Sequence, residues 1–206
     1  ISFTPHFKTH QSLDIAKIFS ELGVREIKVS SVEMAEFFAE IGWENITIAF
    51  PFYRQMLPHS ERLAQRCNIS LFVNSTEVAD FLSEQADETY SCYIEIDSGY
   101  GRSGVNWKNS TKIEEIVSKL ESAGNLSFRG FYTHTGDSYN ARNTSEIRSY
   151  HRRTEAAFAK LKKRYGQKYP DLKLCSGDTP TASVVDDFGV INEISAGNLV
   201  YYDLMQ

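Results

Sequence analysis

Strand-like and helix-like patterns alternate along this chain from one end to the other. Strand-like segments fall at residues 2–7, 26–30, 46–50, 70–74, 91–97, 128–134, 172–176 and 193–196. Helical periodicity fills the seven intervals between them. One helix face is spelled by Ile113, Ile116, Val117 and Leu120, and a second by Ile147, Tyr150, Thr154, Ala157, Leu161 and Tyr165. Ser30 with Glu33 and Thr111 with Glu114 have capping-box spacing, and Gly23 and Gly42 stand where helices stop.

A short echo supports a repeated unit. Ala16, Phe19, Glu21, Gly23 and Ile27 recur 19 positions later as Ala35, Phe38, Glu40, Gly42 and Ile46. Each copy reads as a helix, a glycine stop and a strand. Repeated units of this kind build a parallel sheet with helices outside it. With 206 residues and 41% hydrophobic composition there is enough apolar material for one large core. No G-x-G-x-x-G turn follows the first strand, which favours a closed (β/α)8 TIM barrel over an open doubly wound sheet. No Pro- or Ser-rich linker divides the chain, so residues 1–206 are expected to form a single domain. That barrel is expected to be incomplete at both ends, with no eighth helix after the last strand.

Charge and cysteines narrow the function classes. Net charge is −5 and both signs are dispersed, which argues against a nucleic-acid surface. No apolar run is long enough to cross a bilayer. Cys67, Cys92 and Cys175 lie far apart without a C-x-x-C pair, which suits reduced thiols in a cytoplasmic protein better than a zinc ribbon or a disulfide framework.

Barrels work at the C-terminal ends of their strands. Lys8 closes the first strand there, where loss of hydration would favour a neutral, nucleophilic amine. Arg102 lies in a glycine-rich turn after the fifth strand, and His134 closes the sixth, with Tyr132 and Tyr139 beside it. Gly177 and Thr179 follow the seventh strand, and Gly197 and Asn198 the eighth. Glycine turns after strands seven and eight are where barrels commonly hold phosphate. A lysine opposite a phosphate site describes either pyridoxal 5′-phosphate (PLP) or a sugar-phosphate aldolase.

These segments resemble the D-threonine aldolase and D-serine dehydratase group of PLP enzymes, which have the alanine racemase-like N-terminal barrel (fold type III). The resemblance runs from His6 to Gln206. Residues 6–10 are similar to its P-H-x-K-T-H segment, and residues 96–105 to its D-x-G-x-G-R-x-G-V turn. Residues 130–139 resemble G-F-Y-x-H-x-G-x-S-Y, residues 176–181 a G-x-T-P-T loop, and residues 197–206 a G-N-Y-x-x-Y-D-x-x-Q segment. There are departures: Thr4 stands where an arginine is usual, and Asp137 replaces the second histidine of H-x-G-H.

The resemblance implies a PLP-dependent lyase acting on D-configured β-hydroxy amino acids through a Schiff base on Lys8. It implies Lys8 and His134 as catalytic residues. It implies Lys8, Arg102, Tyr132, Tyr139, Gly177, Thr179, Gly197 and Asn198 as cofactor contacts. The family's divalent metal, usually zinc, sits on a C-terminal β-domain absent from these residues, so no metal ligand is assigned here. The same barrel also serves amino-acid racemases and non-catalytic PLP-binding proteins, and both stay open as alternatives. The expected partner is a small D-amino acid, with neither nucleic acid nor membrane, and the whole protein is expected to be a homodimer.

Overall fold

The computed structural model describes residues 1–202. Its strands are β1 (Ser2–Phe3), β2 (Ile27–Val29), β3 (Asn45–Pro51), β4 (Asn68–Phe72), β5 (Tyr90–Asp97), β6 (Val105–Asn106), β7 (Leu126–Thr133), β8 (Lys173–Ser176) and β9 (Glu193–Ile194). The helices are α1 (Leu13–Glu21), α2 (Val32–Glu40), α3 (Leu57–Ala64), α4 (Thr76–Gln85), α5 (Ser110–Ser122), α6 (Thr144–Tyr165) and α7 (Thr179–Val184).

All pairings are parallel, in the order β1-β9-β8-β7-β5-β4-β3-β2, with β6 attached only to β5. The two ends of that path meet. His6 bridges Lys28, the Phe7 amide donates to the Lys28 carbonyl at 2.8 Å, and the Lys28 amide donates to the Pro5 carbonyl at 2.9 Å. The eight expected strands therefore close into a barrel, each within a few residues of its expected place. Strand β6 was not expected; it pairs with Ile96 and Asp97 as the chain leaves the glycine-rich turn.

Side chains start the helices. Ser12, Ser31, Ser75, Asn109, Asn143 and Asp178 each accept the backbone N–H three residues on. Two expected caps are thereby corrected. Ser31, not Ser30, caps α2, and Asn109, not Thr111, caps α5. In each case a residue with an equivalent side-chain oxygen lies within two positions of the expected one. Gly23 and Gly42 do end α1 and α2, at φ of +90° and +95°, a conformation in which a side chain is strained.

The outer layer is apolar. Ile113, Ile116, Val117 and Leu120 of α5 are all buried, as expected. On α6 the buried stripe is His151, Thr154, Ala157, Phe158, Leu161 and Tyr165, while Ile147 and Tyr150 at its start are only half-buried. Each large apolar side chain so buried contributes roughly 1.5–3 kcal/mol. The inside of the barrel is different. Phe72, Tyr93, Tyr132 and Cys175 form a separate inner cluster, and beside it the ion pairs Lys28–Glu193 and Arg129–Glu26 lie 2.5 Å apart. Barrel interiors are more often filled by branched aliphatic residues. Here charged groups fill it, and each is matched by a partner.

Candidate functional site

Lys8 stands just past the seam where the barrel closes. Its amide donates to His6 Nδ1 at 3.3 Å, and the next residue, Thr9, donates its hydroxyl to the Gly197 carbonyl at 2.6 Å. The loop after β9 is thus tied to the lysine. The Lys8 side chain opens onto the mouth of the barrel. Its amine is nevertheless held below its usual pKa, first by lost hydration against the wall and second by the Arg102 cation.

The glycine-rich turn after β5 is fastened by Asp97, whose Oδ1 accepts the amides of Gly99 at 2.8 Å and Gly101 at 3.0 Å. Asp97 therefore serves the turn itself. Arg102 lies with its guanidinium carbon 5.7 Å from the Tyr100 ring centre. Tyr100 in turn sits edge-on to His134, with ring centres 6.0 Å apart. A side chain at Gly136 would strike the Tyr100 ring, so the glycine leaves the space in which that ring lies.

His134 Nδ1 is 2.8 Å from the Gly177 carbonyl. A carbonyl only accepts, so Nδ1 carries the hydrogen and Nε2 keeps its lone pair. Burial, reinforced by Arg102 and Lys8, lowers the imidazole pKa to about 4 against the smaller opposing effects of the Gly177 carbonyl and Asp137. His134 is neutral at pH 7. Tyr132 is buried, and burial raises its hydroxyl far above its usual pKa, so it keeps its proton.

The loops after β8 and β9 touch. The Asn198 amide donates to Thr179 Oγ1 at 3.0 Å, and the Thr179 amide donates to the Tyr139 hydroxyl at 3.2 Å. Asp178 is buried beneath them and accepts from Ser138 at 2.8 Å, Ser176 at 3.3 Å and the Thr181 amide at 3.0 Å. Both loops carry a glycine that no other residue can replace without movement. A Cβ at Gly177 would fall on the Tyr132 hydroxyl, and one at Gly197 would lie 3.4 Å from Lys8 Cε and 3.3 Å from His6 Cβ. Buried hydroxyls of Thr181 and Ser195 have no hydrogen-bond partner in this region. Small residues and unpartnered hydroxyls leave a cradle suited to a phosphate, while the amides of Gly177, Thr179 and Asn198 already donate within the protein.

All the sequence-predicted site residues thus gather at one mouth: Lys8, Arg102, Tyr132, His134, Tyr139, Gly177, Thr179, Gly197 and Asn198. Asp203 and Gln206 of the last resembling segment lie outside the described residues. Among the described residues no group of three or more His, Cys, Asp or Glu side chains could hold a metal ion. No helix among them is long and apolar enough to cross a membrane.

The profile of the alanine racemase N-terminal domain matches residues 4–204. The chain belongs to that family. It is 28% identical, over its whole length, to D-threo-3-hydroxyaspartate dehydratase of Delftia sp. strain HT23, covering 55% of that protein. The solved structure of that dehydratase superposes with a TM-score of 0.91. The chain is 27% identical, again over its whole length, to D-serine dehydratase of Dictyostelium discoideum, covering 57% of it. It shares its fold with the D-threonine aldolase of Filomicrobium marinum, at 22% identity and a TM-score of 0.91. The chain spans little more than half the length of these relatives.

Sequence reasoning missed three site neighbours. Tyr100 lies inside the recognised turn, and its place between two glycines was the available signal. Glu95 is buried under that turn, accepting from Ser103 at 2.8 Å and Asn74 at 3.1 Å. Arg153, on α6, forms an ion pair with Asp137; one arginine among several on a helix gives no signal in sequence.

Proposed function

We propose that the protein is a PLP-dependent lyase acting on D-configured β-hydroxy amino acids. The observation that carries this reading is the convergence of Lys8, Arg102 and His134 with two facing glycine loops at one barrel mouth. The names of its relatives, two dehydratases and an aldolase of D-amino acids, support the same chemistry.

Gly177, Thr179, Gly197 and Asn198 would hold the phosphate, Lys8 the carbonyl carbon, and Arg102, Tyr132 and Tyr139 the remaining polar edge of the cofactor. Bound there, PLP supplies an electron sink for negative charge developing at Cα. Lys8, with its lowered pKa, is poised to move a proton at Nζ. His134 offers the lone pair of Nε2, so it accepts a proton and, in this tautomer, has none to give from that atom. Tyr132 stays protonated and serves as a donor. Retro-aldol cleavage needs a base for the β-hydroxyl proton, which Nε2 suits. Dehydration needs a base at Cα, which Nζ suits, and a proton for the departing hydroxyl. Among the described residues no cluster suits a divalent cation, and the ligands of any metal that acts on the β-hydroxyl would come from outside them.

Free thiols at Cys67, Cys92 and Cys175 favour a reducing, cytoplasmic setting. Exposed aromatic residues at the rim, Phe50 and Tyr53 among them, favour burial against a second copy in a homodimer. Light scattering of the whole protein tests that state.

The decisive experiment incubates the whole protein with D-serine and with D-threonine, with and without a chelator, and follows 2-oxo acids, glycine and L-isomers. A 2-oxo acid or glycine is expected. Formation of only the L-isomer would make the protein a racemase. PLP binding without any product would make it a carrier.

A further inference from the structure

Two adjacent residues of α6 reach both loops that frame the mouth. Arg153 holds Asp137 with two nitrogens, Nη1 to Oδ2 at 2.6 Å and Nη2 to Oδ1 at 2.9 Å. The same guanidinium crowds the glycine-rich turn. A Cβ at Gly99 would meet its Nε at 3.1 Å, and Gly99 has a φ of +123°. Thr154, buried, makes the second connection. Its hydroxyl lies 3.1 Å from Ser98 Oγ in the glycine-rich turn and 2.9 Å from Thr135 Oγ1 next to His134. Thr133 completes the chain, 3.2 Å from Ser98.

The rim contact and the buried contact therefore join the same two segments. One segment carries Tyr100 and Arg102. The other carries His134, Asp137 and Tyr139. Side chains whose mutual geometry decides chemistry must be held by a surrounding shell. A bidentate guanidinium–carboxylate pair is the rigid form of such a contact, which a lysine cannot reproduce.

We propose that Arg153 is a positioning residue, clamping Asp137 and the Gly99 turn so that Tyr100 and Arg102 stay registered over His134. Asp137 is then one half of the clamp and does not act on substrate. The inference rests on the proposed site for its purpose. Its contacts are independent of that reading.

The test uses the whole protein with Arg153→Met, Arg153→Lys, Asp137→Asn, the Arg153→Met/Asp137→Asn double variant and the reversed pair Arg153→Asp/Asp137→Arg. Retention of PLP is expected to weaken about tenfold in each single variant, the cost of one charge-assisted contact. The double variant is expected to be no worse than either single one, because the two residues act as a unit. The reversed pair should recover part of the loss, and Arg153→Lys should not. Amide hydrogen exchange at Gly99 and Gly101 should quicken in the same variants.

An NMR titration of His134 in Arg153→Lys, which keeps both charges of the pair, adds a readout that a merely structural role would not move, and the charge-removing variants give the electrostatic reference for it. Facing that ring are Arg102, Lys8, His6, Asp137, Tyr100 and Tyr139. Asp137→Asn removes the anion and should lower the His134 pKa. Arg153→Met leaves that anion unbalanced and should raise it. A fall in melting temperature with PLP retention, glycine exchange and His134 titration all unchanged would overturn the proposal. If the wild-type protein bound no PLP, the proposed function would fail, and the exchange and titration results would still decide the clamp.

Discussion

Lys28 Nζ lies 2.5 Å from Glu193 Oε1 in the middle of the barrel, and neither side chain has more than 1% of its surface exposed. Tyr93 donates its hydroxyl to the same carboxylate, at 3.0 Å to Oε2. The pair spans the seam, because Lys28 supplies the bridge to His6 while Glu193 pairs β9 with β1 at Ser2. Lys8 is two residues beyond His6. The ion pair and Lys8 are thus parts of one closure.

Breaking this pair on one side should be costly. Lys28→Met leaves a buried carboxylate without its counter-ion, at about 3–5 kcal/mol. The Lys28→Met/Glu193→Gln variant removes both charges and should recover most of that. Urea unfolding of the three proteins checks it, and equal losses in the single and double variants would refute the account. Burial pushes the Glu193 carboxyl up, but Lys28 and Arg129 outweigh it and hold the pKa at about 2, below its usual 4.5. A depressed carboxyl stabilises the fold above its unfolded pKa, and that stability is lost as pH falls from 4.5 toward 2. It amounts to about 3 kcal/mol. The double variant should lack this share of the acid slope.

Arg102 should tune Lys8. The amine is lowered first by burial and then by the Arg102 cation. Arg102→Leu removes the second cause, so the Lys8 pKa should rise. The pH dependence of borohydride trapping of PLP on Lys8 should then move to higher pH. Lys8→Ala should trap no PLP at this position and show no visible band from a lysine-bound cofactor. No alkaline shift in Arg102→Leu would separate the two residues electrostatically.

The glycine loops offer a steric test. Gly197→Val places carbon against Lys8 Cε and His6, and Gly177→Ala drives a methyl group onto the Tyr132 hydroxyl. Overpacking of this kind costs about 1–3 kcal/mol, and where that cost falls on the bound state PLP affinity should drop roughly 5- to 150-fold. Unchanged affinity in both variants would place the phosphate elsewhere.

The strand ends were legible because each carries a chemical type that a barrel uses there: a lysine, a histidine or a glycine turn. The barrel interior was not. Lys28 sits in a short run between Ile27 and Val29 and reads as an exposed strand residue. Its partner is 165 positions away, and nothing local links them. Cap positions slipped for a different reason. Ser30 and Ser31 offer the same hydroxyl, and only the helix's exact start chooses between them. The α6 stripe kept Thr154, Ala157, Leu161 and Tyr165 but shifted at its start, because His151 turns inward against Phe188 while Ile147 and Tyr150 stay half-buried at the edge. Arg153 was invisible because its role depends on a contact with Asp137 that the periodicity of α6 does not reveal.

Acid should act on the fold partly through His134. Its folded pKa of about 4 lies below the roughly 6.5 of an unperturbed imidazole. Burial is the main cause, and Arg102 and Lys8 add to it. Between those two values the unfolded chain binds a proton that the folded chain refuses. The unfolded state is therefore favoured as pH falls through that window, so the stabilising contribution is present above pH 6.5 and lost toward pH 4. His134→Gln cannot titrate and should show a shallower loss of stability over the window. His6, His10 and His151 are lowered too, chiefly by burial. The difference between wild type and His134→Gln isolates the single residue. Nitrogen NMR should find Nδ1 protonated at pH 7, as its contact with the Gly177 carbonyl requires, with Nε2 unprotonated and open to substrate. An imidazole titrating near 6.5 would overturn the burial account, and one protonated at Nε2 at pH 7 would remove His134 as the proton acceptor and leave that role to Lys8.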